Sequence, residues 1–226
     1  MQAGFQVLKR RSAVGLDWVE KFKGIPVANI SDSMSRLSAG GATLRPLHAG
    51  GVLCGPALTV KSCPGDNLLT HMALNLGVEG DVIVVDANGE LTNAIVGERM
   101  LAYCIAKKFA GIVINGAVRD YGWIRQHDFP VYAAGITHRG PYKNGPGEIN
   151  VPIALGGMVV APGDLLVGDE DGLVCVPQAE VAAIHARAAA KFKHESDTFA
   201  AIATKKDNDA AGYRATLEKL GCYFED

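Results

Sequence analysis

The chain has 226 residues, 48% of them hydrophobic and 20% charged, a balance that excludes a disordered chain and suits one globular unit with an appendage. Twenty-two Lys and Arg stand against 24 Asp and Glu, a formal net charge of −2, so there is no basic excess for general nucleic-acid binding. No apolar run reaches the ~20 residues of a membrane span, and the opening MQAGFQVLKRRSAVG lacks the apolar centre of a secretion signal, so the expectation is a cytoplasmic protein without a membrane partner.

Residues 1–20 read as a lead-in with a short helix near 16–22, and a second helix is predicted over 30–37, ended by Gly40-Gly41. Residues 51–62 are strand-like, with a bend at Gly55-Pro56. Pro64-Gly65 makes a turn, after which Asp66 or Asn67 can cap a helix running to about Leu76. Residues 81–87 (DVIVVDA) are a continuous apolar, β-branched run, as in a parallel strand covered on both faces. The pattern then predicts a helix from about Ala94 to Phe109, closed by Lys107-Lys108 at its negative end, and a buried strand over 111–115. Strand, helix and strand make a right-handed βαβ unit. A short helix over 121–127 and a strand over 130–134 follow.

Residues 149–176 change character and read as three short strands, punctuated by Gly156-Gly157, Pro162-Gly163-Asp164 and the 169–172 turn. They predict a second sheet packed on the first. From Gln178 the chain is helical to about Ala203, with a last helix over 210–220. The fold class is therefore α/β: one unit over 1–226 with a core at about 25–177 and a helical C-terminal extension at about 178–226.

Three places carry candidate chemistry. The loop after the 111–115 strand holds Arg119 and Asp120 at a carboxyl sheet edge, where open α/β sheets bind ligands. A carboxylate there can hold Mg²⁺ while leaving it water to exchange, and a guanidinium can grip a carboxylate or enolate oxygen. An ordinary surface ion pair explains the same dipeptide. Gly97-Glu98-Arg99 lies near the start of the predicted helix, whose free amides form an anion site, and βαβ geometry lets Glu98 meet Arg119. A solvated helix-start carboxylate is the plainer account of Glu98. Glu195 shares a helical stripe with Val181, Ile184, Ala188, Phe192 and Phe199. Either it lies at the stripe's edge, or it is desolvated, with a raised pKa suited to proton transfer.

Other signals are weaker. The PGDN turn and His71 can line a pocket. The six histidines lack metal-ligand spacing, and no dinucleotide, P-loop or nucleophile-elbow motif is present. Five cysteines (Cys54, Cys63, Cys104, Cys175, Cys222), odd in number and without C-x-x-C, read as reduced thiols.

The stretch GERMLAYCIAKKFAGIVINGAVRD sets Glu98, twenty residues, then Arg119-Asp120. With PGDN, GDVIVVDA and INVPIALGGMVVAPGDLLVGDEDGLVCVP, it resembles the 4-hydroxy-4-methyl-2-oxoglutarate and 4-carboxy-4-hydroxy-2-oxoadipate aldolases, over roughly residues 25–220. These are metal-dependent pyruvate aldolases related to the regulator of ribonuclease activity A. The resemblance implies a layered β/β/α sandwich, trimers or hexamers with sites between subunits, and Mg²⁺ or Mn²⁺ as cofactor. By position, Asp120 would be the metal ligand, Arg119 would hold the pyruvate or enolate oxygen, and Glu98 would hold water on the metal. The amides around Gly97, Glu98, Arg99, Met100 and Leu101 would take the pyruvyl carboxylate. Asn67 would join the substrate site, and Glu195 falls where the aldolases supply a carboxylate from a neighbouring subunit. Many aldolases carry Asp where this chain has Glu98, which keeps the charge and moves its oxygens by about a bond length.

The resemblance implies cleavage of 4-hydroxy-2-oxo acids to pyruvate, in the breakdown of aromatic compounds, with oxaloacetate decarboxylation through the same enolate. Two alternatives stay open: a regulator that binds a ribonuclease or other protein, and a lyase of another small 2-oxo acid. The Glu98/Arg119-Asp120 set and the extension carrying Glu195 favour an enzyme. A methyltransferase reading finds no Gly-rich cofactor loop.

Overall fold

A computed structural model describes residues 3–38, 40–202 and 209–225. In chain order, its first half runs β1 (Phe5–Val7), α1 (Leu16–Phe22), α2 (Val27–Ser33), β2 (Arg45–Pro46), β3 (Leu53–Ser62), α3 (Leu68–Leu76), β4 (Val82–Val96) and α4 (Glu98–Ala106). The second half runs β5 (Gly111–Val118), α5 (Tyr121–Ile124), β6 (Val131–Ile136), β7 (Gly147–Ile149), β8 (Ile153–Leu155), β9 (Met158–Val160), β10 (Leu165–Asp169), β11 (Gly172–Val176), α6 (Val181–Ile202) and α7 (Ala210–Lys219).

The apolar runs build the sheet. β3, β4, β5 and β6 pair parallel, with β7 antiparallel on β3 and β2 antiparallel on β6 at the far edge. β3 belongs to two sheets: Leu53–Pro56 pairs β10, which pairs β11, and Ala57–Lys61 pairs β4. The change of partner falls at Gly55-Pro56, the predicted bend, where Gly55 leaves room for the Gly80 carbonyl.

Alternation along each strand then sets the layers. Val82 and Val84 of β4, Val113 of β5 and Leu166 of β10 fill the space between the two sheets. Ile83, Val85, Ile112 and Ile114 face the other way, against Leu69, Ala73, Leu101 and Cys104 of α3 and α4. Leu165, Val167, Val174 and Val176 face outward against Phe22, Ile30, Val181, Ile184 and Ala188 of α1, α2 and α6. Both sheets are therefore roofed by helices: the layered β/β/α sandwich that the resemblance implies, with a further helical layer made by α1, α2 and the C-terminal α6. No helix among the described residues is long and apolar enough to cross a membrane.

Several boundaries differ from the sequence expectation. Residues 94–96 are strand, not helix: Ala94 and Val96 pair with Ala117 and Val118, so β4 runs 15 residues through register shifts and α4 starts only at Glu98. A short apolar, β-branched run has no periodicity to separate strand from helix. The second helix begins at Val27, after Pro26, and ends at Ser33, because Ser35 and Arg36 turn left-handed (φ 59° and 61°). α4 stops at Ala106 and α5 at Ile124, both earlier than predicted. Residues 149–176 hold two hairpins, β8–β9 and β10–β11, in place of three strands, and β1 and β7 are additional. Residues 178–180 form a 3₁₀ turn before α6, and Ala203 lies outside the described residues.

All five cysteines are free. Burial pushes the Cys54 and Cys104 thiols up to about 12.

Candidate active site

The parallel strands bring their carboxyl ends, and the start of α4, to one edge. Arg119 is fixed there by its amide, which donates to the Val96 carbonyl at 3.0 Å. Asp120 follows in the left-handed region (φ 61°), a conformation Asp tolerates better than most residues. That kink folds the Asp120 carboxylate back over the first turn of α4, where Oδ2 accepts from the Glu98 amide at 3.0 Å. Gly97 makes the approach possible. A Cβ on it would collide with Asp120 Oδ2 and lie 2.9 Å from Arg119 Cγ. Arg119 Nε sits 3.7 Å from the same oxygen. Among the described residues, Asp120 Oδ1 accepts no hydrogen bond.

The first turn of α4 divides its amides. Glu98 donates to Asp120, and Met100 and Leu101 both donate to the Gly97 carbonyl at 3.0 and 3.1 Å. The Arg99 amide has no partner among the described residues, so it is the donor this turn leaves open.

A cleft of about 590 Å³ opens in front of these groups. Gly97, Glu98, Arg99, Met100, Arg119, Asp120 and Asn67 all line it. Leu101 lies beneath, fully buried. Asn67 is 2% exposed, and its Nδ2 donates to the Ile95 carbonyl at 2.8 Å, which leaves Oδ1 as a buried acceptor with no partner among the described residues. The helix cap belongs to its neighbour: Asp66 Oδ1 accepts from the Leu68 amide at 2.8 Å.

Asp66 also shapes the opposite wall. Its Oδ2 accepts from the Asn144 and Gly145 amides at 2.5 and 3.0 Å, while the Asn67 amide donates to the Tyr142 carbonyl at 3.0 Å and the Tyr142 amide to the Gly65 carbonyl at 2.9 Å. The loop after β6 is thereby tied over the cleft, and Pro141 and Lys143 enter the lining. Gly140 in this loop comes within 3.3 Å of Arg119 Nη1, measured from where its Cβ would stand. His71 and Asn75 of α3 and Tyr103 of α4 complete the walls. Burial, and then the charge of Lys143, hold the His71 imidazole below its ordinary pKa. His71 was legible beside PGDN, but Lys143 was not. It sits in an irregular Gly- and Pro-rich loop whose path is set by Asp66, 77 positions earlier in the chain.

Glu195 does not join this cleft in its own chain. It accepts from Asn29 Nδ2 at 2.6 Å and pairs with Lys191 at 3.0 Å, against α2. The raised pKa expected of a desolvated carboxylate is not what the structure gives. Glu195 is 41% exposed, and the Asn29 hydrogen bond, then Lys191, hold it below the usual carboxylate value. It lies at the edge of the stripe.

The donors suit a hard divalent ion. Among the described residues no three His, Cys, Asp or Glu side chains gather, as a zinc site would require. One carboxylate with an open oxygen, in a cleft that Glu98 also lines, matches Mg²⁺ or Mn²⁺, which bind through one or two carboxylates and exchange water on their other faces.

Comparison with known proteins agrees with this architecture. A family model described as RraA-like, Aldolase/RraA, matches residues 27–175. A protein of Halalkalibacterium halodurans named "Putative 4-hydroxy-4-methyl-2-oxoglutarate aldolase" is 37% identical over 209 residues, covering 92% of this chain and 98% of its own. Among solved structures, Streptomyces coelicolor RraAS2, described as an unusual member of the RNase ES inhibitor RraA family, superposes with a TM-score of 0.75 at 27% identity, covering 84% of this chain and 100% of its own. The RNA-processing inhibitor RraA from Thermus thermophilis gives 0.62 at 30% identity, covering 67% and 92%.

Proposed function

The chain belongs to the RraA-like family, and from that membership we propose that it is a divalent-metal-dependent lyase that cleaves 4-hydroxy-2-oxo acids to pyruvate. The observation that carries this reading is the Asp120 carboxylate, folded onto the first turn of α4 beside Arg119 with one oxygen open to the cleft. A surface ion pair needs neither the left-handed Asp120 nor the glycine that makes room for it.

Asp120 is the residue that would hold Mg²⁺ or Mn²⁺, with Glu98 near it for water. When bound, the ion supplies Lewis acidity to the 2-oxo group of the substrate. The chain's own groups do the rest. The open Arg99 amide and the α4 terminus receive the 1-carboxylate. Arg119 donates to the 2-oxo oxygen and stabilises the negative charge that develops there. Asn67 stands in the cleft wall beside the substrate, and Glu98 accepts from the substrate's 4-hydroxyl. As that proton leaves toward Glu98, the C3–C4 bond breaks, C4 becomes a carbonyl carbon, and the electron pair passes into a pyruvate enolate. Glu98 returns that proton to C3, which gives pyruvate and restores the carboxylate. Oxaloacetate reaches the same enolate by losing CO₂.

Glu195 is proposed to serve the cleft of a neighbouring copy in a homotrimer or homohexamer. The extension that carries it already projects from the core: Phe199 and Ile202 are exposed at the end of α6.

The test is pyruvate release from oxaloacetate and from 4-hydroxy-4-methyl-2-oxoglutarate, with Mg²⁺ and with EDTA. Turnover above the metal-only background, abolished by EDTA, is expected. A folded protein that releases no pyruvate with Mg²⁺ or Mn²⁺ overturns the lyase reading and favours an inhibitor role such as the RraA structures are named for.

A further inference from the structure

We infer that a second cleft, at the amino ends of the parallel strands and away from Asp120, binds a small phosphate monoester whose organic part carries a hydroxyl or amino donor. Sugar phosphates and nucleoside monophosphates share that chemistry. The site is independent of the lyase reading, which leaves the Lys9-Arg10-Arg11 run unused.

This cleft measures about 590 Å³, as large as the one at Asp120. One wall is a strap over residues 8–14, fixed at both ends. The Leu8 amide donates to the Ile149 carbonyl at 3.1 Å, the Leu8 carbonyl accepts from Asn150 Nδ2 at 2.8 Å, and the Val14 amide donates to the Gly163 carbonyl at 2.9 Å. Arg10 anchors the middle: its Nη1 lies 2.7 Å from the buried carboxylate of Asp81, the residue before β4, whereas Gly97 at the other end of β4 borders the first cleft. Gly163 lets the strap lie close, since a Cβ there would collide with the Ser12 carbonyl. A wall pinned in this way loses little chain entropy when a ligand settles on it.

The charge on the strap is open. Asp81 pairs with Arg10, but Lys9 and Arg11 on either side make no hydrogen bond or ion pair among the described residues. Both line the cleft, and no Asp or Glu does. The amides of residues 9–12 likewise have no acceptor among the described residues. Successive free amides beside two cations make a seat for an anion. A phosphate monoester brings three acceptor oxygens and a charge of about −1.5 to −2 at pH 7, enough to use both cations, the amides and Ser12 Oγ together. A carboxylate, with one charge, leaves a cation unmatched.

The organic part has its own recognition. Asn150 lines the same cleft and commits Nδ2 to the strap, while its Oδ1 is buried with no partner among the described residues. That oxygen can only accept, so it calls for an O–H or N–H that a phosphate dianion lacks. Leu8, Pro152 and Pro162 supply apolar walls for the ring that carries the donor.

The experiment is calorimetric titration of the full chain in EDTA, which keeps phosphate off any metal at Asp120. The probes are AMP, ribose 5-phosphate and inorganic phosphate. At least one ester should bind once per chain, about tenfold or more tighter than inorganic phosphate, and the tighter ester tells a nucleotide site from a sugar phosphate site. Lys9→Ala and Arg11→Ala should each weaken that ester about tenfold to a hundredfold, the worth of one charge-assisted hydrogen bond. Both side chains are exposed, so neither change should disturb the fold. Arg119→Ala, in the first cleft, should leave the binding as it is. Three results overturn the inference: neither ester binding below about 1 mM, inorganic phosphate binding as tightly as both esters, or a loss produced by Arg119→Ala in place of Lys9→Ala and Arg11→Ala.

Discussion

Asp120 and Glu195 are the two carboxylates that sequence reading sets apart most sharply from their surroundings, and the fold gives them opposite settings. Asp120 is placed by backbone geometry inside one chain: a left-handed residue, an amide from the next helix and a glycine that clears the way. Glu195 rides on α6, tied to α2 by Asn29 and Lys191. α6 is buried as far as Ala188 and opens to solvent beyond it, with Phe199 71% exposed. Within one copy the cleft thus gathers Asp120, Arg119, Glu98 and Asn67, while Glu195 stands apart from it. The outer half of the extension has an apolar face that its own core does not use, which is how a segment that serves another molecule is built.

The most damaging way to probe the first region is Asp120→Ala. Metal-dependent pyruvate formation should fall to background, while the thermal midpoint moves by no more than a few degrees, since the side chain is partly exposed. Retained turnover would remove the metal from this residue. Arg119→Ala should lower kcat by about 10²–10³, the cost of one lost oxyanion donor. A fall confined to KM would make Arg119 a binding group only.

The second region is sharpened by two substitutions on one stripe. Ile184→Ala, in the buried part of α6, should cost about 2–4 kcal/mol in urea unfolding. Phe199→Ala should cost no more than about 0.5 kcal/mol in dilute protein. An equal cost at both would mean that the outer stripe is covered even then, and a cost for Phe199→Ala that grows with protein concentration would identify a second copy as the cover.

The thiols draw the same line between core and extension. At pH 8 an alkylating reagent should modify exposed Cys222 and leave Cys54, Cys104 and Cys175 intact until the chain unfolds. Cys54 and Cys104 have folded pKa values raised to about 12 from 9.0. The folded state therefore keeps their protons where the unfolded state loses them. Their contribution to stability is full below pH 9 and falls as pH rises from 9 to 12, so the urea midpoint should drop across that window.

Much of this was legible in sequence, for reasons that differ by element. Residues 16–22 and the 81–87 run announced themselves through helical periodicity and continuous β-branched burial, and α1 and β4 occupy them. Glu98 and Arg119-Asp120 could be brought together because a parallel βαβ unit leaves little freedom in where its ends meet. The start of α4 was not legible, since residues 94–96 are strand only by virtue of their partners on β5. The same holds for β1 and β7, three-residue strands whose existence depends on each other and on β3. Lys143 was hidden because no local pattern says where a loop rich in Gly and Pro will be tied down. Glu195 was visible as an anomaly on its stripe, but its partner Asn29 lies 166 residues away in the chain.

The ties made by Asp66 reach only main-chain amides on the far loop, at Asn144 and Gly145. These two ties therefore use no side chain of the loop at 143 or 144. On the lyase reading, substitution there would alter one wall of the cleft and leave the contacts of Asp120 with Glu98 and Arg119 as they are.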